Sequence, residues 1–266
     1  NQSASNPASG VRTELSPTDH GMITRITYPE NAQTPYINIS DVSDLAFDTA
    51  TQSFSGYKKA DSNQMPKMYI YGTFDQAFTV NGTRAVFGQG QQTVVMRAAT
   101  SFISAEQAKK NLEQELSGEF DAVKAAAKKL WNDKLSQFEI EGASEEQRIT
   151  FYSCLYRSML FPRSFYEIDA KGQVVHYSPY NGKVLPGYMF TDTGFWDTFR
   201  CLFPFLNLMY PSMNQKMQEG LVNAYLESGF LPEWASPGHR DCMVGNNSAS
   251  VVADAYIKGL RGYDIE

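Results

Sequence analysis

The densest mixture of polar and aromatic side chains in this 266-residue chain runs from Thr191 to Arg200. Trp196 and Asp197 are adjacent there, and Arg200 follows about one helical turn later. A carboxylate can accept hydrogen bonds from sugar hydroxyls while an indole covers an apolar sugar face. The segment is therefore a candidate carbohydrate-binding site. The alternative is that Asp192 or Thr193 caps a helix and Trp196 is a core residue, because acidic residues favour helix N-termini in any case.

A second cluster of functional side chains lies between Phe230 and Ser248. It contains Glu233 and then a loop with four further candidates, His239, Arg240, Asp241 and Cys242. A predicted helix follows this loop. Loops of this composition commonly carry function. Two alternatives stay open for this loop. One is a metal site on His239 and Cys242, although no further ligands lie at a regular spacing in sequence. The other is a Cys242 nucleophile with His239, the only nearby candidate, as its base.

Hydrolysis of a glycosidic bond usually requires two carboxyl groups, which lie about 6.5–9.5 Å apart in inverting enzymes so that water can enter. Asp192, Asp197, Glu233 and Asp241 could supply such a pair by composition. The sequence alone gives no distances, so it does not select a pair.

Composition excludes several classes of protein. The net charge of −6 argues against a nucleic-acid partner, since nucleic-acid affinity depends on neutralising phosphates. The most apolar stretch, Cys201 to Tyr210, is too short to span a membrane and is interrupted by Pro204 and Asn207. The three cysteines form no CxxC pair, which argues against a disulfide scaffold or a zinc knuckle. Cys154 and Cys201 lie among apolar residues and are predicted to be buried thiols.

The elements that must position these residues change in type along the chain. Up to about residue 102, short β-branched and aromatic runs predict strands, and the clearest are Met22–Tyr28, Tyr36–Ile39, Lys67–Phe74 and Thr93–Phe102. Turn residues separate them at Pro29-Glu30-Asn31, Ser55-Gly56 and Asn81-Gly82. Strands at such intervals are typical of an antiparallel sandwich.

Helix signals begin at Ser104. Capping-box patterns predict helix starts at Ser104, Ser144 and Ser212, and a further helix is expected from Asn247. Strands followed by helices, without alternation, indicate an α+β protein with two domains. The helices, joined by long aromatic-rich loops, look like hairpins of a helical toroid in which loops build the site. We expect residues 1–102 to be part of the sandwich, 103–140 linker helices, and 141–266 the start of the second domain.

Several stretches together resemble glycoside hydrolase family 92, the calcium-dependent, inverting, exo-acting α-mannosidases. The matching stretches are Ser101-Phe-Ile-Ser-Ala-Glu-Gln-Ala, Asn111-Leu-Glu-Gln-Glu115, Glu141-Gly, Phe151-Tyr-Ser-Cys-Leu-Tyr-Arg, Gly194-Phe-Trp-Asp-Thr-Phe-Arg200, Asp241-Cys-Met-Val-Gly and Ala253-Asp-Ala-Tyr256. The resemblance extends over about Val11 to Gly259, in the same order as in the family. It implies an N-terminal β-sandwich joined by helices to an (α/α)6 barrel.

The resemblance also implies a function: release of terminal α-linked mannose, with α-1,2 as the expected linkage, from mannose-containing glycans. It implies that Trp196 and Asp197 bind the terminal mannose, with contributions from Arg200, Arg240 and Cys242. The family's general acid, general base and calcium ligands have no counterpart in this segment, so we expect them in the remainder of a longer polypeptide. The isolated segment is then expected to be inactive, and a glycan substrate points to a periplasmic or secreted setting.

Two alternatives stay open on the sequence alone. The chain could be a non-catalytic carbohydrate-binding or structural module with its aromatic loops as the platform. A helical toroid enzyme of another chemistry would require acidic metal-binding motifs such as DDxxD, and the sequence contains none.

Overall fold

The computed structural model describes residues 2–6, 9–59, 66–90 and 92–265. The chain forms two compact units. The first comprises Asn1–Asp61 and Lys67–Gln137, and the second comprises Ser62–Pro66 and Phe138–Glu266.

Ten strands lie among the described residues of the first unit. In chain order they are β1 (Gln2–Ser5), β2 (Arg12–Pro17), β3 (Gly21–Tyr28), β4 (Tyr36–Asn38), β5 (Ser43–Asp48), β6 (Ser53–Lys58), β7 (Met68–Phe74), β8 (Thr79–Asn81), β9 (Arg84–Val86) and β10 (Gln92–Ser101). Seven of them form an antiparallel sheet in the order β1-β2-β3-β10-β7-β6-β5, and β4-β9-β8 form a smaller sheet. The four predicted strands are confirmed as β3, β4, β7 and β10.

One face of the large sheet packs against the small sheet through an aromatic core. Phe74 is central, with its ring centroid 5.1 Å from that of Phe78 and 5.4 Å from that of Phe87, both in edge-on geometry. Ile37 and Ala85 from the small sheet are buried in the same cluster. The two sheets therefore enclose a common core, as expected for the antiparallel sandwich predicted from the spacing of the strands.

The other face of the large sheet is covered by two helices, α1 (Ala105–Glu115) and α2 (Phe120–Leu135). Leu112, Leu116 and Val123 pack there against Ile23 and other residues of the sheet. Ser104 caps α1 by accepting a hydrogen bond from the amide of Gln107, so the predicted start of this helix is confirmed. The two predicted linker helices are thus part of the first unit, while the predicted domain organisation as a whole stays a prediction.

The turn predicted at Ser55-Gly56 is wrong, because both residues lie inside β6. A β-carbon on Gly56 would lie 2.4 Å from Cγ1 of Val42 and 2.9 Å from the carbonyl oxygen of Ser43. The glycine is required by the close approach of the chain beside it rather than by a turn. Gly82, by contrast, has φ +61° and forms the predicted turn between β8 and β9.

The second unit contains five helices among its described residues: α3 (Glu145–Ser158), α4 (Phe195–Thr198), α5 (Leu202–Met209), α6 (Pro211–Ser228) and α7 (Asn247–Ile257). Short strands lie between them: β11 (Arg163–Ser164), β12 (Tyr166–Ile168), β13 (Val174–Tyr177), β14 (Val184–Pro186), β15 (Phe190–Thr191), β16 (Thr193–Gly194) and β17 (Trp234–Ala235). A sheet-rich first part followed by helices confirms the α+β fold class.

The helix starts test the capping predictions. Ser144 and Gln147 form both hydrogen bonds of a capping box, so that prediction is confirmed for α3. The start predicted at Ser212 is wrong, because Pro211 already occupies the first turn of α6 and Tyr210 is the N-cap. Proline is suited to this position since its fixed φ matches the helix and its missing N–H would have no helical partner.

The core of the second unit lies among α4, α5, α6 and α7. It is formed by eight buried side chains: Phe195, Phe203, Leu206, Tyr210, Met217, Leu221, Val251 and Val252. The opposite faces of these helices carry exposed apolar residues, such as Leu208 (79% exposed) and Ile257 (83% exposed). Cys154 and Cys201 are also exposed, so the prediction that they are buried is wrong. Apolar neighbours in sequence do not fix which side of a helix faces the core.

The loops of the second unit are anchored by a buried polar pair. His176 on β13 is fully buried, and its Nε2 lies 2.8 Å from Oε1 of Glu227 near the end of α6. Its Nδ1 lies 2.9 Å from the carbonyl oxygen of Gly187. Both ring nitrogens therefore have partners, and these hydrogen bonds connect β13 to α6 and to the loop at Gly187. Among the described residues, none of the helices combines the length and apolar character needed to cross a bilayer.

Candidate functional site

The two clusters singled out from the sequence meet at a short antiparallel ladder. Gly194 of β16 pairs with Trp234 of β17, and Thr193 pairs with Ala235. The amide of Phe195 then donates to the carbonyl oxygen of Glu233 at 3.2 Å. This ladder brings the beginning of α4, with Trp196 and Asp197, alongside the loop that leads to Arg240.

Gly194 allows the closest contact in this site. A β-carbon at this position would lie 2.2 Å from Nε1 of Trp234 and 3.0 Å from Oδ2 of Asp197. The indole nitrogen and the carboxylate therefore lie on the same side of the Gly194 backbone, in a space that only glycine leaves open. Asp197 itself is exposed. An accessible carboxylate beside an indole N–H donor is suited to binding neighbouring sugar hydroxyls.

Trp196 directly precedes Asp197 in sequence and is 40% exposed. Arg200, one turn further along, donates from Nη1 to the carbonyl oxygen of Trp196 at 2.9 Å. Its guanidinium carbon lies 5.0 Å from the centroid of the Trp196 ring and 4.4 Å from that of Phe199. Arg200 therefore fixes the indole by a cation–π contact and places positive charge at the edge of the site.

Arg240 has the same relation to the second indole. Its guanidinium carbon lies 5.3 Å from the centroid of the Trp234 ring, and its amide donates to the carbonyl oxygen of Trp234 at 2.9 Å. The amide of Cys242 donates in turn to the carbonyl oxygen of Arg240 at 2.8 Å. Cys242 is half-buried with a free thiol. The structure thus connects Arg240 and Cys242 to the ladder that carries Trp196 and Asp197.

His239 has a packing role. Its ring stacks on Phe230 with centroids 4.1 Å apart, and its Nε2 lies 2.8 Å from Oγ of Ser228. Burial lowers the pKa of His239, and the charge of Glu233 only partly opposes this effect. The His239 ring thus contacts Ser228 and Phe230, and the described residues show no hydrogen bond from it to Cys242, so the geometry does not support a Cys242 nucleophile with His239 as its base. Within the ranges that the structure describes, no group of three or more His, Cys, Asp or Glu side chains could hold a metal ion.

The alternative based on helix capping is contradicted for this segment. Gly194, and neither Asp192 nor Thr193, is the N-cap of α4, and Trp196 is exposed rather than part of the core. Asp192 instead has a left-handed backbone with φ +59°. Its carboxylate accepts from Oγ of Ser236 at 2.9 Å and pairs with Nε of Arg163 at 3.2 Å.

Two features of the site were not identified from the sequence. The first is the position of Trp234, because the sequence does not indicate that its indole lies against Gly194. The one signal in the sequence was Gly194 itself, since a glycine in a strand often marks a place where another part of the protein comes close to the backbone. The left-handed conformation of Asp192 had no comparable signal beyond the tolerance of aspartate for it.

Known proteins share this arrangement of sequence and fold. A family model described as the Glycosyl hydrolase family 92 catalytic domain matches residues 107–266. A solved structure of an inverting mannosidase of family GH92 from Bacteroides thetaiotaomicron is similar with a TM-score of 0.92 and 37% identity, covering 98% of this chain and 39% of that one. A GH92 α-mannosidase from the same species, in complex with mannoimidazole, has a TM-score of 0.81 and 21% identity, with coverage of 96% and 38%.

A fungal relative is described as an uncharacterized secreted glycosidase from Arthroderma benhamiae. It is 27% identical over 177 residues, which are 64% of this chain and 18% of the relative. The chain thus spans about two fifths of the solved structures it matches and a smaller share of the fungal protein. Since the family match covers more than half of the present chain, this chain belongs to glycosyl hydrolase family 92.

Proposed function

We propose that this chain forms part of the sugar-binding site of an α-mannosidase that releases terminal α-linked mannose with inversion. The observation that carries the proposal is the β16–β17 ladder, which brings Trp234 and the exposed Asp197 to the same side of Gly194, with the exposed Trp196 next to Asp197 in sequence. Two relatives support the choice of sugar: one is described as an inverting mannosidase, and the other was solved with mannoimidazole.

The proposed roles follow from the chemistry of each side chain. Asp197 accepts hydrogen bonds from two hydroxyls of the terminal mannose, because an ionised carboxylate is an acceptor with two oxygens. Trp196 and Trp234 border the sugar, and the N–H of Trp234 donates to an adjacent oxygen. Arg200 and Arg240 hold the two indoles through their cation–π contacts. Cys242 borders the site beside Arg240.

Inverting hydrolysis requires a general acid that protonates the leaving oxygen and a general base that activates water on the opposite face. We propose that both groups, and the ligands for calcium, belong to polypeptide outside this chain. The residues that the structure describes contain no group of three or more His, Cys, Asp or Glu side chains that could hold a metal ion. The α-1,2 linkage is proposed from the family resemblance.

The test is replacement of Asp197 by alanine in the full-length protein. We expect a loss of more than tenfold in kcat/KM for a terminal α-mannoside, because the sugar loses a charge-assisted hydrogen-bond acceptor. Asp133→Ala is the matched control, since Asp133 is an exposed carboxylate on α2 in the other unit. A change of less than twofold for Asp197→Ala would remove this residue from the site.

The same assay separates the alternative of a non-catalytic module. A carbohydrate-binding module would bind mannose without releasing it from a glycan, whereas the enzyme releases free mannose. We further propose that the protein acts outside the cytoplasm, which is supported by the secreted description of the fungal relative. Detection of the protein in the periplasmic or culture fraction of its source organism would test this.

A further inference from the structure

We infer that Asp192 is a positioning residue for the sugar site: it holds the two halves of the site in register without contacting the sugar. This inference rests on the proposed function of Asp197 and the two tryptophans. It depends on the juxtaposition of Asp192, Arg163 and Ser236 where three chain segments meet.

Asp192 is the single residue between β15 and β16. On one side, Thr191 pairs with Arg163 of β11. On the other side, Thr193 pairs with Ala235 of β17. The chain therefore changes its pairing partner at Asp192, and the change occurs through a left-handed backbone with φ +59°. Non-glycine residues hold this conformation only where their surroundings enforce it, and aspartate and asparagine tolerate it best.

The side chain of Asp192 ties the same segments together. One carboxylate oxygen accepts from Oγ of Ser236, which directly follows β17, and the other pairs with Nε of Arg163 in β11. The neighbouring Thr191 donates from Oγ1 to the carbonyl oxygen of Pro237 at 3.0 Å in a buried position. All three contacts lie at the end of the ladder opposite α4.

The ladder itself is too short to fix its own register. It consists of the pairs Thr193–Ala235 and Gly194–Trp234, and a ladder of this length has no periodic side-chain pattern that would oppose slippage. A shift at Gly194 would move the indole of Trp234 away from Oδ2 of Asp197. Asp192 therefore determines where the indole lies relative to the carboxylate, although it is not itself at the sugar.

The experiment compares Asp192→Ala, Asp192→Asn and Ser236→Ala in the full-length protein, with mannoimidazole as the probe. We expect Asp192→Ala to weaken mannoimidazole binding about fivefold to tenfold, as the loss of the carboxylate contacts releases the ladder. Asp192→Asn retains an oxygen for Ser236 and a side chain that tolerates the left-handed backbone, so it should bind within about twofold of wild type. Ser236→Ala should fall between them.

Asn223→Ala serves as the control for a general loss of stability. Asn223 donates to the carbonyl oxygen of Tyr188 elsewhere in the second unit, so this variant removes a comparable hydrogen bond away from the ladder. We expect it to lower Tm without changing mannoimidazole affinity. If Asp192→Ala does not fold, the comparison of Ser236→Ala with this control decides the question.

The outcomes separate this inference from the proposed function. If Asp197→Ala binds mannoimidazole as well as wild type does, the proposed function fails. If Asp197→Ala loses affinity while Asp192→Ala and Ser236→Ala change only Tm, the sugar site stands and Asp192 is merely structural. Failure of Asp192→Asn to restore binding would likewise overturn the positioning role.

Discussion

The two units achieve order by different means. In the first unit, β10 pairs with β3 along its length, from Gln92–Tyr28 to Ala99–Gly21, and with β7 on its other side. In the second unit, the β16–β17 ladder that assembles the site is two residues long on each strand. Long ladders take their register from side-chain alternation, whereas a two-residue ladder depends on individual side chains. The sheet framework of the first unit therefore depends on the side-chain pattern of long strands, whereas the proposed sugar site depends on a few individual contacts.

Replacing a closely packed glycine by alanine in each unit tests this difference most strongly. We expect the greater loss of stability for Gly72→Ala in the first unit. A β-carbon on Gly72 of β7 would lie 2.3 Å from the buried ring of Phe54 and 2.8 Å from the carbonyl oxygen of Arg97. We expect Gly72→Ala to destabilise the first unit by about 3 kcal/mol, because neither the packed ring nor the backbone can move aside.

Hydrogen exchange measured by mass spectrometry on peptides from β7 and β10 would report this loss locally. Gly82→Ala is the control for stability, since nothing lies within 4 Å of its β-carbon position, although its positive φ adds modest strain. If exchange in β7 and β10 were equal in Gly72→Ala and wild type, packing against the sheet would not be as rigid as the structure indicates.

The same substitution at Gly194 should instead affect the site. The added β-carbon would meet the half-buried indole of Trp234, a side chain rather than backbone, so the expected loss of stability is smaller than at Gly72. The indole would have to leave its place beside Gly194 and Arg240, and we expect mannoimidazole binding to weaken about tenfold. Calorimetry on the full-length protein measures this directly. Unchanged affinity in Gly194→Ala would show that the indole position does not matter for binding.

The weakest of these effects concerns the hydrogen-bonded pair of His20 and Glu115 in the first unit and its dependence on pH. His20 contacts Glu115 through Nδ1 at 2.5 Å and through its amide at 2.9 Å. Burial acts to raise the pKa of Glu115, but the hydrogen bonds from His20 outweigh it and lower the pKa below 4.5. A carboxyl whose pKa is lowered on folding stabilises the protein above its unfolded pKa, and that contribution is lost as the pH falls through the folded pKa.

Glu115→Gln should therefore destabilise the first unit by about 1 kcal/mol at pH 7 and by progressively less below pH 4.5. Hydrogen exchange in α1 as a function of pH measures this, and Glu113→Gln, at an exposed position on the same helix, is the control. A difference from wild type that stayed constant between about pH 7 and about pH 3 would contradict the assignment to Glu115.

The difference between the units also explains what could be predicted from the sequence. Strands β3, β7 and β10 were predictable because β-branched and aromatic residues recur along them. Strand β6 was not, because its sequence Ser53-Phe-Ser-Gly-Tyr-Lys58 contains the serine and glycine that usually indicate a turn. Its strand conformation depends on pairing with β5 and β7, which local sequence does not encode.

The two sequence stretches that form the candidate site could be predicted, but the way in which they pair could not. The stretches around Trp196 and Arg240 stood out by composition, and the family resemblance assigned both to sugar binding. Their pairing through Gly194 and Trp234 could not be derived, since a two-residue ladder produces no periodic pattern. The role of Asp192 was hidden for the same reason, because its partners Arg163 and Ser236 are distant in sequence.

Whether this surface holds the terminal mannose is decided most directly by mannoimidazole binding to the full-length protein, measured by calorimetry for wild type and Asp197→Ala. We predict that wild type binds the ligand and that Asp197→Ala binds it at least about tenfold more weakly, while Asp133→Ala is unchanged. Equal affinity of wild type and Asp197→Ala would contradict the assignment of this surface to the sugar.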